Sequence, residues 1–142
     1  MTLVGCGFKE TAMDELAADG YYHYKNQDLG FSLALPKEFI YYQTQRKRSG
    51  SVIDLEIFVP TSDRTYAQEV AGYAKPIIVR IYNNKDWQNL PADDAIKKSF
   101  SVISEKVDEI YAISFWQNIP SDWQSKWTEE MKQGIMKNFK IE

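Results

Sequence analysis

Ser51-Val52-Ile53-Asp54-Leu55-Glu56-Ile57-Phe58-Val59 alternates apolar with polar side chains at a period of two. Successive side chains of a strand point to opposite faces. Ile53, Leu55, Ile57 and Val59 therefore share one face, and Asp54 and Glu56 share the other. The first face belongs to a core and the second to water, as in an antiparallel strand covered on one side. Just upstream, residues 41–46 read as a partner strand, and Lys47-Arg48-Ser49-Gly50 has the composition of the hairpin tip between them.

Further upstream, residues 21–25 are aromatic-rich and residues 26–30 are a turn cluster. Residues 31–35 set Phe31, Leu33 and Leu35 against Ser32 and Ala34. Pro36 ends that strand because it has no N–H to give to a ladder. Downstream, residues 61–75 form a polar connection longer than compact domains usually carry. Tyr66, Val70, Tyr73 and Ala74 give it the spacing of a short helix or the make-up of a functional loop. Residues 76–82 resume as a strand with Ile77, Val79 and Ile81 inward, and Trp87 falls in the turn after it. Pro91-Ala92-Asp93-Asp94 opens a helix with the residues favoured in a first turn. Residues 101–106 and 109–117 form a second hairpin around Val107-Asp108.

The last element reads as a long helix. Ser121 with Gln124 is a capping box, and Trp123, Trp127, Met131 and Ile135 recur every fourth residue as one apolar stripe. Gly134 within it suggests close contact with the sheet. The expected fold class is α/β of the α+β kind, a central antiparallel sheet flanked by helices.

Composition agrees with one domain of ordinary globular make-up: 142 residues, 44% hydrophobic, with a formal net charge of −3. No global positive field recruits nucleic acid, and no apolar run is long enough to span a bilayer. Cys6 is the single cysteine and His23 the single histidine. No intrachain disulfide, histidine-based metal cluster or Cys–His pair can therefore form. No G-x-S-x-G motif or phosphate-cradling glycine loop is present, and nothing calls for a metal or another cofactor. Asp54 and Glu56, about 7 Å apart by strand rise, are the candidate carboxylate pair for hydrolysis. Solvated charge on a wet sheet face also accounts for them. Gln45-Arg46-Lys47-Arg48 is the one basic cluster, either a solvated hairpin tip or a contact for anionic lipid headgroups.

Leu3-Val4-Gly5-Cys6 resembles the lipobox of bacterial lipoproteins. That resemblance implies cleavage before Cys6 and a diacylglycerol thioether on its sulfur. Residues 1–5 then read as a signal-peptide remnant, 6–20 as the lipidated cysteine with a tether, and 21–142 as the domain. Phe8, Ala12, Met13 and Leu16 give the tether the spacing of one or two helical turns, although a helix so short is marginal in water.

Within the domain, Tyr24-Lys25-Asn26 leading through Gly30-Phe31-Ser32 to Leu35-Pro36-Lys37-Glu38-Phe39 resembles the opening of PsbP-like domains. Ser114-Phe115-Trp116, a capped helix and Asn138-Phe139-Lys140-Ile141 resemble their close. The resemblance implies an antiparallel sheet with helices on both sides, and brings no catalytic residues.

These readings set the functional expectation: a non-enzymatic lipoprotein on the outer face of a membrane of the bacterial envelope. It would be held to that membrane by its lipid and bind another envelope or extracellular component, and no small-molecule substrate is identified. Tyr66, Tyr73 and Trp87 are the candidate partner-binding residues, with segment 61–75 as the recognition loop. The alternatives are a cell-surface hydrolase using Asp54 and Glu56, or a secreted enzyme inhibitor using segment 61–75.

Overall fold

The computed structural model describes residues 15–142. The lipobox, Cys6 and the helical spacing around Phe8, Ala12 and Met13 lie outside the described residues. In chain order the elements are β1 (Tyr21–Asn26), β2 (Phe31–Pro36), β3 (Gln43–Ser49), β4 (Val52–Pro60), β5 (Tyr73–Asn83), α1 (Asn84–Asn89), α2 (Ala95–Ser99), β6 (Ser101–Glu105), β7 (Glu109–Phe115), α3 (Glu129–Lys137) and β8 (Lys140–Ile141). They form the expected α+β fold. Its antiparallel strands are divided between a three-stranded sheet, β1-β2-β8, and a five-stranded sheet, β3-β4-β5-β7-β6.

The alternation in residues 51–59 decides how the sheets meet. Ile53 faces Ile81, which faces Tyr111; the next rows are Leu55, Val79 and Ile113, then Ile57, Ile77 and Phe115. These rows pack against Phe31, Leu33 and Leu35 of β2 and Tyr22 and Tyr24 of β1. Leu55, Ile57, Ile77 and Val79 are fully buried. Each such side chain contributes about 1.5–3 kcal/mol by leaving water.

The Tyr22 and Tyr24 rings of β1 lie 6.0 and 6.3 Å from that of Tyr42, just before β3, and Asp28, just past β1, reaches Arg46 farther along β3, so the two strands of the facing sheets advance in the same sense. The sandwich therefore has two distinct ends. Tyr21 pairs with Pro36, and Pro60 with Tyr73, at the end where the chain enters. Asn26 pairs with Phe31, Ser49 with Val52, and Asn83 with Glu109 at the other.

Four expectations are corrected. The face carrying Asp54 and Glu56 is not wet: Glu56 is 3% exposed, and that face is covered by ion pairs and by Trp87 on α1. The helix does not begin at Ser121. Residues Ser121–Trp123 make a single 3-10 turn without a side-chain cap, and α3 starts after Thr128, whose hydroxyl accepts from the Met131 amide at 3.1 Å. Thr128 has extended backbone, and a β-branched N-cap at that point wins over continuation of the helix. The fourfold stripe nonetheless packs as one, since Trp123, Trp127, Met131 and Ile135 all join the same core. Gly134 does not touch the sheet, because a Cβ there would meet nothing within 4 Å. Trp87 lies on α1 and not in a turn.

Candidate functional site

Segment 61–75 is not a free loop. Its last residues, from Tyr73, belong to β5, and its first twelve carry no helix and form a strap tied down along its length. The Asp122 carboxylate accepts from the Thr61 hydroxyl at 2.7 Å and from the Ser62 amide at 2.9 Å. In return the Asp63 carboxylate accepts from the Ser121 amide at 2.9 Å. The Trp123 indole N–H donates to the Pro60 carbonyl, and the Tyr66 hydroxyl to the Asn118 carbonyl.

The Ser121 amide first, and then the Thr65 hydroxyl and amide, hold the Asp63 carboxyl down at about 2. Burial works to raise Asp122, but the donors from Ser62 and Thr61 outweigh it and its value is lowered. Farther along, Glu69 takes Lys75 at 2.7 Å and Lys47 at 3.3 Å, so the strap is also pinned to the outer face of the larger sheet. The strap therefore closes the Trp123 side of the end where the chain enters, and a smaller hollow of about 340 Å³ remains there between Tyr21, Pro36 and α3.

Of the candidate recognition residues, Tyr66 spends its hydroxyl on the strap's own anchorage, and Tyr73 is a strand residue opposite Pro60. Trp87 is 8% exposed and packs on Tyr82 with ring centroids 5.0 Å apart. It follows the far end of β5, which is ten residues from Tyr73, about 33 Å at strand rise. The three do not form one surface.

The aromatic that the closed end does expose is Tyr41, 72% exposed beside the half-exposed Ile40. Its φ of 66° lies in the left-handed region. The chain reverses there between two core rings, Phe39 and Tyr42, and the Tyr42 amide donates to the Phe39 carbonyl at 3.0 Å. Nothing in the sequence marks this position, because left-handed turns ordinarily carry glycine or asparagine.

Asp54 and Glu56 do not act on each other. Arg80 grips Asp54 through two bonds of 2.6 and 2.8 Å and lies 4.5 Å over the Phe100 ring. Glu56 accepts from Gln45 at 3.1 Å and from Lys75 at 2.9 Å. Burial of Lys75 opposes its charge, yet the two glutamates raise its pKa on balance. His23 lies 2.7 Å from Asp19 on an exposed surface. Among the described residues no group of three or more His, Cys, Asp or Glu is placed to hold a metal, and no helix is long and apolar enough to cross a membrane.

The basic cluster is split by the pleat. Lys47 points to the outer face with Glu56 and Glu69. Arg46 and Arg48 stand opposite Leu55 and Ile53, so they point to the inner side. There they form one wall of a cleft of about 520 Å³ at the open end of the sandwich. Ile53 and Ile81 lie at its base, Lys106 and Glu109 form the facing wall, and the turn from Gln27 to Gly30 forms the roof.

The roof is fixed from inside. The buried Tyr111 hydroxyl donates to the Leu29 carbonyl at 2.7 Å, and the Asn26 side chain accepts from the Leu29 amide at 3.0 Å. Gly30 has φ +75°, and a Cβ on it would stand 2.6 Å from the Lys106 ammonium. Glycine is what lets that cation lie against the turn. The Tyr111 hydroxyl and neighbouring carboxylates raise the Lys106 pKa, which keeps it charged. Asp28 reaches Arg46 at 3.6 Å, and Glu142 reaches Lys25 at 3.1 Å. Among the described residues Arg48 and Lys106 carry no ion pair. The alternation of Arg46 and Arg48 in sequence carried this signal, but only their position on an edge strand over an open end turns it into a site.

No protein-family model, curated protein or solved structure matches the chain.

Proposed function

We propose that this chain is a non-enzymatic binding protein of the bacterial envelope. In this reading the lipobox cysteine Cys6 holds it to the outer face of a membrane, and the PsbP-like resemblance accounts for its sandwich. The open end is the surface that meets another envelope component. The observation that carries the reading is the opposition of the two ends. The described chain enters at the end sealed by the strap, and the charged cleft opens at the end farthest from that entry. A domain tethered at the sealed end would present the cleft away from its anchor.

The hydrolase reading draws less support from the geometry, because Asp54 and Glu56 each serve a cation within the sheet's outer face. The inhibitor reading needs the strap as a free loop, and the strap's polar groups are turned onto residues 118–123.

The test is photo-crosslinking in the native envelope. A photoreactive residue at Val107, 97% exposed at the tip of the β6–β7 hairpin beside the cleft, is compared with one at the exposed Glu130, at the start of α3 beside Tyr21 and Pro36 of the entry end. A discrete adduct from Val107 and none from Glu130 is expected. Equal labelling from both positions, or from Glu130 alone, defeats the assignment of the open end.

A further inference from the structure

We infer that the open-end cleft binds a phosphate or carboxylate group carried on a small apolar body. This deepens the envelope-binding reading and rests on it for the choice of end. The ligand class follows from the cleft's chemistry.

Arg46 and Arg48, two apart on one strand, hold their guanidinium stems on the same side about 7 Å apart. Guanidinium forks match the two oxygens of a carboxylate or phosphate better than any other side chain. Lys106 faces them across the cleft, set against Gly30. Asp28, the residue that a ligand anion would displace from Arg46, is 79% exposed and held at only 3.6 Å. Its release is cheap, since exposed ion pairs are worth little.

The body of the ligand is set by the base of the cleft. Ile81 is already part of the core, while Ile53 is only partly buried and gives the base its open aliphatic surface. Glu109 and Glu142 also line the cleft, but neither forms an ion pair with Arg48 or Lys106. A bare anion would leave Ile53 uncovered, and a purely apolar molecule would cover Arg48 and Lys106 without meeting their charge. A volume of about 520 Å³ lies within the range of small-ligand sites. An anion with a short alkyl or similar tail satisfies both surfaces. A soluble alkyl phosphate and an anionic lipid headgroup offer the same chemistry, and the experiment separates them.

Amide chemical shifts of the full chain are followed while hexyl phosphate, inorganic phosphate or hexanol is added. Saturable shifts are expected at Leu29, Gly30 and Ile81, with hexyl phosphate binding roughly tenfold tighter than inorganic phosphate because its tail covers apolar surface. Arg48→Gln and Lys106→Gln should each weaken hexyl phosphate roughly tenfold. Lys47→Gln, on the other face of the same strand, should leave it unchanged. Flotation with phosphatidylcholine vesicles, with and without phosphatidylglycerol, assigns the source: Arg48-dependent binding to the anionic vesicles indicates a headgroup, and retention of hexyl phosphate alone indicates a free ligand.

Absent shifts, a hexyl phosphate no tighter than phosphate, or a Lys47→Gln loss equal to that of Arg48→Gln would overturn the inference. A crosslink from Val107 without any hexyl phosphate response removes the anion site and leaves the binding protein. Hexyl phosphate binding without the crosslink does the reverse.

Discussion

The two ends of the sandwich carry similar raw material and use it in opposite ways. At the entry end, Asp63 and Asp122 are 59 positions apart, yet the Asp122 carboxylate accepts the Thr61 hydroxyl and the Ser62 amide, and Asp63 accepts the Ser121 amide in return. Those bonds seal the strap over Trp123. At the far end, Asp28 and Arg46 meet at 3.6 Å in the open, and Arg48 and Lys106 stand over aliphatic side chains. Charge satisfied inside the fold becomes architecture, and charge left facing a hollow remains available to a ligand. A tyrosine-bearing loop therefore does not become a recognition surface by being long and polar. What decides is whether its polar groups find partners within the chain.

The contrast is broken most easily at the strap. Replacing residues 62–71 by a short Gly/Ser turn removes the Ser62 donors to Asp122, the Asp63 bond to Ser121 and the Glu69 pairs together, and leaves only the Thr61 hydroxyl on Asp122. Hydrogen bonds to charged groups are among the stronger ones in a fold, and solvent screening discounts those made by exposed carboxylates. A clearly lowered midpoint is expected in denaturant unfolding. No change in midpoint would show the strap to be free after all. Leu55→Ala, in the core shared by both ends, should cost about 2–5 kcal/mol and lower the melting temperature at least as much as any single strap substitution.

Acid should separate the ends as well. The Asp63 carboxyl is held near 2, below its ordinary 3.8, and Asp122 is also lowered. A group whose folded pKa is depressed contributes stability above its unfolded value and loses it as pH falls through the folded one. The strap's contribution should therefore be complete above about pH 4 and fade toward pH 2, the folded value for Asp63. The fluorescence of Trp123, whose indole donates to Pro60, reports the change. Asp63→Asn should abolish most of that pH dependence, and a variant that keeps it would move the cause elsewhere.

The smallest effects are stabilising. Gly134→Ala, with open space at the Cβ and a helical backbone, should add about 1 kcal/mol. Tyr41→Gly relieves a left-handed backbone at an exposed position and should add up to about 1 kcal/mol. Loss of stability in either would mean that the side chain or the space there has a role not visible in the packing.

Much of the sandwich is legible in the sequence because its signals are local. Ile53, Leu55 and Ile57 declare a half-buried strand by themselves, and Gly50 and Asp108 mark hairpin tips that the structure keeps. What is illegible depends on distant residues. The outer face looks wet because Asp54 and Glu56 are acidic, while the cations that cover them, Arg80 and Lys75, lie 26 and 19 positions away. The stripe from Trp123 to Ile135 has helical spacing, yet one capping threonine restarts the chain within it. Trp87 looks like a surface ring until the sheet supplies Tyr82 and Ile110 beneath it. For the site, the period-two rule already separates Lys47 from Arg46 and Arg48. That the latter pair overlooks a hollow depends on the turn at Gly30 and on Lys106, both far off in sequence.

Lys47 and Arg48 are adjacent in the chain and equal in formal charge, and they lie on opposite faces of one edge strand. The most direct test compares Lys47→Gln with Arg48→Gln for capture of the envelope component crosslinked from Val107. Arg48→Gln should lose the adduct at unchanged melting temperature, while Lys47→Gln should keep it. Equal loss from both would show a diffuse charge effect, and loss from Lys47→Gln alone would place the binding surface on the outer face, contradicting the account.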